Sequence, residues 1–168
     1  GGPGGCRRRG RGRAGGAEGM GAAGGPRAGR WCAGRPGAAG FRASGGTGGI
    51  LWAVEAARER AAAGRGVVDP EIVLARRAHA AFHKAAHLFG LRTRVVPVTD
   101  DWTADVDAVA DSVGPSTALV VASAPQYPQG VVDPVTEMAR LADSVGANCH
   151  VDACMGGLGL TFPTHEDP

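Results

Sequence analysis

Apolar residues recur along the chain with two different periods, and these periods predict alternating helices and strands. In the first helical segment Leu51, Val54 and Ala57 form one apolar stripe among alanine, glutamate and arginine, which is the spacing of an amphipathic helix. Four segments with helical composition and spacing cover residues 50–65, 79–89, 104–113 and 134–145. Four short apolar runs, which predict strands, cover residues 72–75, 94–98, 117–123 and 148–153.

The order of these segments predicts the fold class. Helix and strand alternate with short connections, which is typical of an α/β fold with a mostly parallel sheet and flanking helices. The run 117–123 is apolar almost throughout, which indicates a strand buried on both faces. Ligands of such sheets bind at the carboxyl ends of the strands, so Ser123 and Asp152 are predicted to lie near one site.

Residues 1–43 differ in composition from the rest of the chain. They use nine residue types, mainly Gly, Ala, Arg and Pro, and contain no Val, Leu, Ile, Ser, Thr, Asp or Lys. Such a segment cannot bury enough apolar surface to offset the entropy cost of ordering. We therefore predict a low-complexity segment over residues 1–43, which is disordered or the mis-translated product of a GC-rich gene, followed by one domain over residues 44–168.

The charge distribution changes at the same boundary. Residues 1–43 hold nine Arg and one Glu, about +8, whereas residues 44–168 hold nine basic and fifteen acidic residues, about −6, which together give the net charge of +2. A basic arm raises the alternative of an Arg/Gly-rich nucleic-acid-binding protein. Only Trp31 and Phe41 could stack on bases there, so we expect no nucleic-acid partner.

Two further features bear on the location of the protein. The chain has no run of eighteen apolar residues, so no transmembrane helix is predicted. Of its four cysteines, two lie in residues 1–43 and the other two, Cys149 and Cys154, flank one predicted strand. This spacing does not indicate a disulfide framework and favours a reducing cytoplasm.

Two candidate binding features precede or lie on predicted helices. The turn over residues 44–48, Ser-Gly-Gly-Thr-Gly, could bind a phosphate through free amides at the start of a helix. His79, His83 and His87 are four residues apart, so they are predicted to share one helical face. Histidines at this spacing can chelate zinc, but the spacing supplies no acidic or thiol partner, and we predict no metal site.

The predicted last strand carries a carboxylate at its end. Alternation along the strand puts His150, Asp152 and Cys154 on one face and Cys149 on the other. An aspartate at the end of an apolar strand is unfavourable unless it is paired. Its partner could be a protonated pyridine nitrogen or the backbone of the following turn, and the sequence leaves both alternatives open.

Four motifs in this order resemble the sphingosine-1-phosphate lyase branch of the pyridoxal-phosphate-dependent decarboxylase family. They are SGGT at residues 44–47, HAAFHKAAH at 79–87, SAPQYPQGVVDP at 123–134 and HVDACMGG at 150–157. The resemblance implies a fragment of the large domain of a fold-type I enzyme. The sequence departs from the family pattern at Gly48 and Gly49, where Glu and Ser are usual.

The resemblance implies a role for each matched residue. Gly46 and Thr47 match the phosphate-binding turn, and Ser123 lies in a strand-end motif that faces the site. His79 matches the imidazole that stacks on the cofactor ring, and Asp152 matches the carboxylate that pairs with the pyridine nitrogen, so these two are the expected catalytic residues. The implied cofactor is pyridoxal 5'-phosphate.

The resemblance also implies an activity. The expected reaction is carbon–carbon cleavage of a phosphorylated long-chain base to an aldehyde and phosphoethanolamine, by a homodimer that binds small amines, and amino-acid decarboxylation is the alternative. Lys84 is the only lysine and is not expected to be the Schiff-base lysine, which the resemblance places beyond the Asp-Ala-Cys motif and past the end of this chain. We therefore expect the chain to be inactive by itself.

Overall fold

The alternating segments form four strands and five helices within residues 40–159, the part of the chain that this computed structural model describes. Apart from residues 40–43, the predicted low-complexity segment lies outside the described residues, and its disorder stays a prediction. In chain order the elements are α1 (Gly46–Arg65), β1 (Glu71–Ala75), α2 (Ala81–Phe89), β2 (Arg92–Val96), α3 (Val106–Ser112), β3 (Thr117–Ser123), α4 (Val135–Ser144), β4 (Asn148–Asp152) and α5 (Gly156–Gly159).

The four strands form one parallel sheet in the order β2-β1-β3-β4. This confirms the predicted α/β fold with a parallel sheet and flanking helices. Every residue of β3 is buried, as the continuous apolar run indicated. In the register of β3 with β4, Ser123 pairs with Asp152, so the two polar residues end neighbouring strands.

The core consists of two apolar layers, one on each face of the sheet. On one face α1 and α2 pack against β1 and β3 through residues such as Val54, Phe82 and Leu119. On the other face α3 and α4 contribute Val109 and Met138. Two covered faces explain why the central strands carry almost no polar side chains.

The starts of the four predicted helices differ from the prediction, by four residues at α1, two at α2 and α3 and one at α4. Helix α1 begins at Gly46 rather than at residue 50, and the amide of Gly49 donates to the Gly45 carbonyl oxygen at 3.1 Å. Helix α2 begins at Ala81, so the prediction that His79 is helical was wrong. His79 precedes the helix, and its Nδ1 accepts a hydrogen bond from the Ala81 amide at 3.1 Å, which satisfies one of the free amides of the first turn.

Strand β2 is displaced by two residues from the prediction, and it ends before Pro97. Proline has no amide hydrogen to continue a strand ladder. Val98 instead forms an isolated antiparallel bridge with Ala104. None of the helices within residues 40–159 combines the length and the apolar character needed to cross a bilayer.

Candidate active site

A cavity of about 350 Å³ lies at the carboxyl end of the sheet. Its walls come from the segments that follow β1, β3 and β4, where ligands of parallel sheets bind. The structure brings three of the predicted site residues into this one cavity, namely His79, Ser123 and Asp152. The volume is within the range of small-molecule sites.

The Asp152 carboxylate is oriented by the turn that follows β4. Its Oδ1 accepts hydrogen bonds from the Cys154 amide at 3.3 Å and from the Cys154 thiol at 2.8 Å. Its Oδ2 accepts none from residues 40–159. One oxygen therefore caps the turn, while the other is left for a second partner. The two partners that the sequence left open for Asp152, the turn backbone and a pyridine nitrogen, are therefore compatible.

The contact with Asp152 also changes the chemistry of the thiol. The hydrogen bond to the carboxylate, with smaller contributions from burial and from the carboxylate charge, raises the pKa of Cys154 to about 11. At neutral pH the sulfur is therefore protonated. It donates to Asp152 and does not compete with it as a second anion.

His150 and Cys149 occupy opposite faces of β4, as the alternation predicted. The His150 ring contacts Phe82 edge to face, with 5.7 Å between ring centroids, and burial lowers its pKa although the Asp152 charge acts in the opposite direction. Cys149 packs in the other core layer, and burial raises its pKa. Among the described residues no three His, Cys, Asp or Glu side chains converge on a possible metal position.

The three spaced histidines do not share a helical face. His79 lies in the turn after β1 and lines the cavity, whereas His83 and His87 are exposed on α2. Because Nδ1 of His79 accepts the Ala81 amide, its neutral ring carries the hydrogen on Nε2. This bond fixes the ring orientation at the cavity.

The glycine-rich turn provides the amino end of α1. Gly46 is the first helical residue, and no side chain caps this end. A Cβ on Gly46 would lie 3.3 Å from the Cys154 sulfur, so the helix start lies against the wall of the cavity. Thr47 is exposed and is not among the lining residues.

Ser123 is held at its position by a buried carboxylate that we did not single out from the sequence. Asp133 accepts the amides of Ser123 at 2.7 Å and of Ala104 at 2.9 Å, and its own amide donates to the Ser123 carbonyl oxygen at 2.9 Å. Burial raises the pKa of Asp133, although both hydrogen bonds lower it. The end of β3 is therefore tied to the segment before α4.

Close backbone packing shapes the floor of the site. The Ala124–Pro125 peptide bond is cis, and Pro125 lines the cavity. Gly156, the first residue of α5, is buried against this bond, because a Cβ there would lie 2.3 Å from the Ala124 oxygen. Only glycine allows this approach.

A further wall of the cavity was missed by sequence reasoning. The Arg77 guanidinium lies over the Trp102 ring at 4.3 Å from its centroid. Gln126 is buried, and its Nε2 donates to the Trp102 carbonyl oxygen at 2.6 Å. Both Arg77 and Gln126 line the cavity. These residues are far apart in the sequence, and no local pattern indicates their contact.

The fold and the cavity define an α/β protein with an imidazole and a carboxylate at the carboxyl end of a parallel sheet. The family model for class-V aminotransferases matches residues 43–161. The chain belongs to this family.

Three individual proteins show which members of the family the chain resembles. Sphingosine-1-phosphate lyase 1 of Rattus norvegicus is 44% identical over 129 residues, which are 77% of this chain and 22% of the relative. The probable L-aspartate decarboxylase of Halobacterium salinarum is 44% identical over 127 residues, which are 76% of this chain and 35% of the relative. The structure of the Burkholderia pseudomallei sphingosine-1-phosphate lyase is 40% identical with a TM-score of 0.66, and the match covers 71% of this chain and 29% of that one.

These findings confirm the predicted resemblance to sphingosine-1-phosphate lyases and the predicted fold class. They also confirm pyridoxal 5'-phosphate as the cofactor of the family. The chain matches only 22% of the length of the rat lyase. The activity, substrate and assembly of a whole enzyme are therefore matters of proposal.

Proposed function

We propose that this chain carries part of the active site of a pyridoxal-phosphate-dependent carbon–carbon lyase that acts on phosphorylated long-chain bases. The observation that carries the proposal is that His79, Ser123 and Asp152 line the same cavity. The 44% identity to the rat sphingosine-1-phosphate lyase supports the choice of reaction.

The residues of the cavity fit the cofactor chemically. Asp152 has one oxygen that is not used by the described residues, which suits a protonated pyridine nitrogen. His79 has a ring orientation fixed by a backbone hydrogen bond, which suits stacking on a flat ring. The amino end of α1 next to Cys154 suits a phosphate group, because free amides and the helix dipole favour an anion there.

The roles of these residues follow from their chemistry. When it is bound, pyridoxal 5'-phosphate supplies an electron sink for the breaking of a bond. Asp152 would keep a proton on the pyridine nitrogen, because a neighbouring negative charge favours the protonated form. His79 would cover the ring and exclude water. Gly46 and Thr47 would bind the phosphate through their amides. The next two residues, Gly48 and Gly49, bring no side-chain donors.

We propose that Lys84 does not bond the cofactor. It is exposed on α2 and is not among the cavity residues. The isolated chain should therefore bind the cofactor without a covalent bond and show little or no turnover. Borohydride reduction of the chain with the cofactor, followed by peptide mass spectrometry, should give no stoichiometric adduct. An adduct at Lys84 would show that this assignment is wrong.

The substrate can be tested with the native protein isolated from its own cells. We expect it to release a long-chain aldehyde and phosphoethanolamine from a phosphorylated long-chain base. The second candidate is amino-acid decarboxylation, which the 44% identity to the Halobacterium relative supports. Release of carbon dioxide from L-aspartate without aldehyde formation would favour that candidate over the lyase.

We also propose a homodimer in the cytoplasm. The dimer is implied by the resemblance, and sedimentation equilibrium of the native protein tests it, since a monomer at micromolar concentration would contradict it. The location is supported by Cys149 and Cys154, which are both free thiols, as expected in a reducing compartment. Fractionation of native cells would test the location.

A further inference from the structure

The cavity contains a positive charge that no carboxylate within residues 40–159 neutralises. Arg77 lines the cavity and is partly buried. Throughout residues 40–159, no carboxylate forms an ion pair with it and no acceptor takes a hydrogen bond from its side chain. The guanidinium carbon lies 4.3 Å from the Trp102 ring centroid, and the group carries five N–H donors in a planar fork. The donors therefore remain available to a ligand.

The position of Trp102, whose ring lies against Arg77, is fixed by its backbone. Trp102 has a φ of 65°, a left-handed conformation that is uncommon for a bulky residue and persists only where the surroundings impose it. Its amide donates to the Thr99 carbonyl oxygen at 3.0 Å, and its carbonyl oxygen accepts from Gln126 at 2.6 Å. Gln126 is only 3% exposed, so the backbone that presents the indole to Arg77 is anchored from the interior.

We propose that Arg77, supported by Trp102, is the residue with which this cavity selects amine substrates that carry an anionic group. A guanidinium binds phosphate or carboxylate through two parallel hydrogen bonds, and this geometry distinguishes it from lysine. The inference rests on the proposed function and adds the residue that recognises the anionic group of a phosphorylated or acidic amine. The phosphate of the cofactor is the other possible source of an anion, and the proposed function places that phosphate at the amino end of α1.

The test compares Arg77→Met with Arg76→Met in the full chain. Arg76 is the adjacent residue with the same charge, but it is exposed and does not line the cavity. Isothermal titration calorimetry measures the dissociation constants of O-phosphoethanolamine and of ethanolamine, and a separate titration measures the dissociation constant of pyridoxal 5'-phosphate. Circular dichroism verifies folding, and Arg77→Lys serves as a second, milder variant.

We expect the wild type and Arg76→Met to bind O-phosphoethanolamine at least about tenfold more tightly than ethanolamine. Arg77→Met should lose this preference and Arg77→Lys most of it, while both bind pyridoxal 5'-phosphate within about threefold of the wild type. A preference that survives in Arg77→Met, or is missing from the wild type, would overturn the inference.

The two proposals fail in different ways. An equally large loss of cofactor affinity in Arg77→Met would also overturn the inference, because Arg77 would then bind the phosphate of the cofactor. A wild type that binds no pyridoxal 5'-phosphate but retains the Arg77-dependent preference would contradict the proposed function, while the anion selectivity of Arg77 would stand.

Discussion

Replacing Gly156 with alanine should destabilise the fold, because the added methyl group has no space. An ideal Cβ at this position lies 2.3 Å from the Ala124 carbonyl oxygen and 2.5 Å from Pro125 Cδ. Carbon and oxygen atoms normally approach to about 3.3 Å, so the overlap is about 1 Å. The obstacles are a backbone carbonyl and a proline ring, and neither can rotate away as a flexible side chain would.

The size of the effect follows from two opposing contributions. Overpacking of a buried position costs about 1–3 kcal/mol, and the rigid neighbours place Gly156 at the upper end. Alanine is preferred over glycine in a helix by about 1 kcal/mol, so the net loss in unfolding free energy is about 2 kcal/mol. With an unfolding entropy of about 2.1 cal/mol/K per residue over residues 40–159, Tm should fall by about 8 °C.

Thermal unfolding followed by circular dichroism measures this shift. Gly157→Ala is the matched control, since it changes the next residue of the same helix. A Cβ at Gly157 lies 3.4 Å from the Ala153 Cβ, an ordinary contact, so only the helix preference of about 1 kcal/mol acts there, and we expect Gly157→Ala to raise Tm by about 4 °C. Equal Tm values for the two variants would refute the argument that backbone approach requires glycine at position 156.

Three further predictions concern individual charges. The thiol of Cys154 has a pKa of about 11. In Asp152→Asn the hydrogen bond to the carboxylate is removed, so iodoacetamide should alkylate the thiol faster at pH 8. An unchanged alkylation rate, followed by peptide mass spectrometry, would contradict the contact. Glu71→Gln should lower the unfolding free energy by about 2 kcal/mol in urea titrations, because the Glu71 side chain is 3% exposed and pairs with two arginines. The control is Asp69→Asn, which should lower it by less than about 0.5 kcal/mol because the Asp69 side chain is 66% exposed. Burial lowers the pKa of His150 below 6.5, so its stabilisation is present above pH 6.5 and is lost as the pH falls through the folded-state pKa. His150→Gln should therefore show a smaller loss of stability than the wild type between pH 7 and pH 5, and parallel pH profiles would argue against a buried neutral ring.

The fold was largely predictable because its strongest signal is local. The apolar run that became β3 has the same limits in the prediction and in the structure, Thr117–Ser123, since burial on both faces excludes most polar residues. Helix ends were less predictable. His79 has a helical spacing to His83, but its imidazole accepts a backbone amide and so precedes α2, and spacing alone cannot distinguish a capping residue from a helical one.

The site was predictable only where residues end strands or match a motif. Asp152 and Ser123 were placed together because parallel strands present their carboxyl ends on the same edge of the sheet. The contact of Arg77 with Trp102 depends on a left-handed backbone at residue 102 and on a hydrogen bond from Gln126. Both conditions arise from long-range packing, and no periodicity in the sequence encodes them.

The pairing of Asp152 with the ring of the cofactor is tested most directly by the dissociation constant of pyridoxal 5'-phosphate, measured by fluorescence titration. Asp152→Asn should weaken binding about tenfold or more, because a charge-assisted hydrogen bond is lost, whereas Asp111→Asn, an exposed aspartate on α3, should leave it unchanged. Equal dissociation constants for the wild type and Asp152→Asn would contradict the assignment of this cavity to the cofactor.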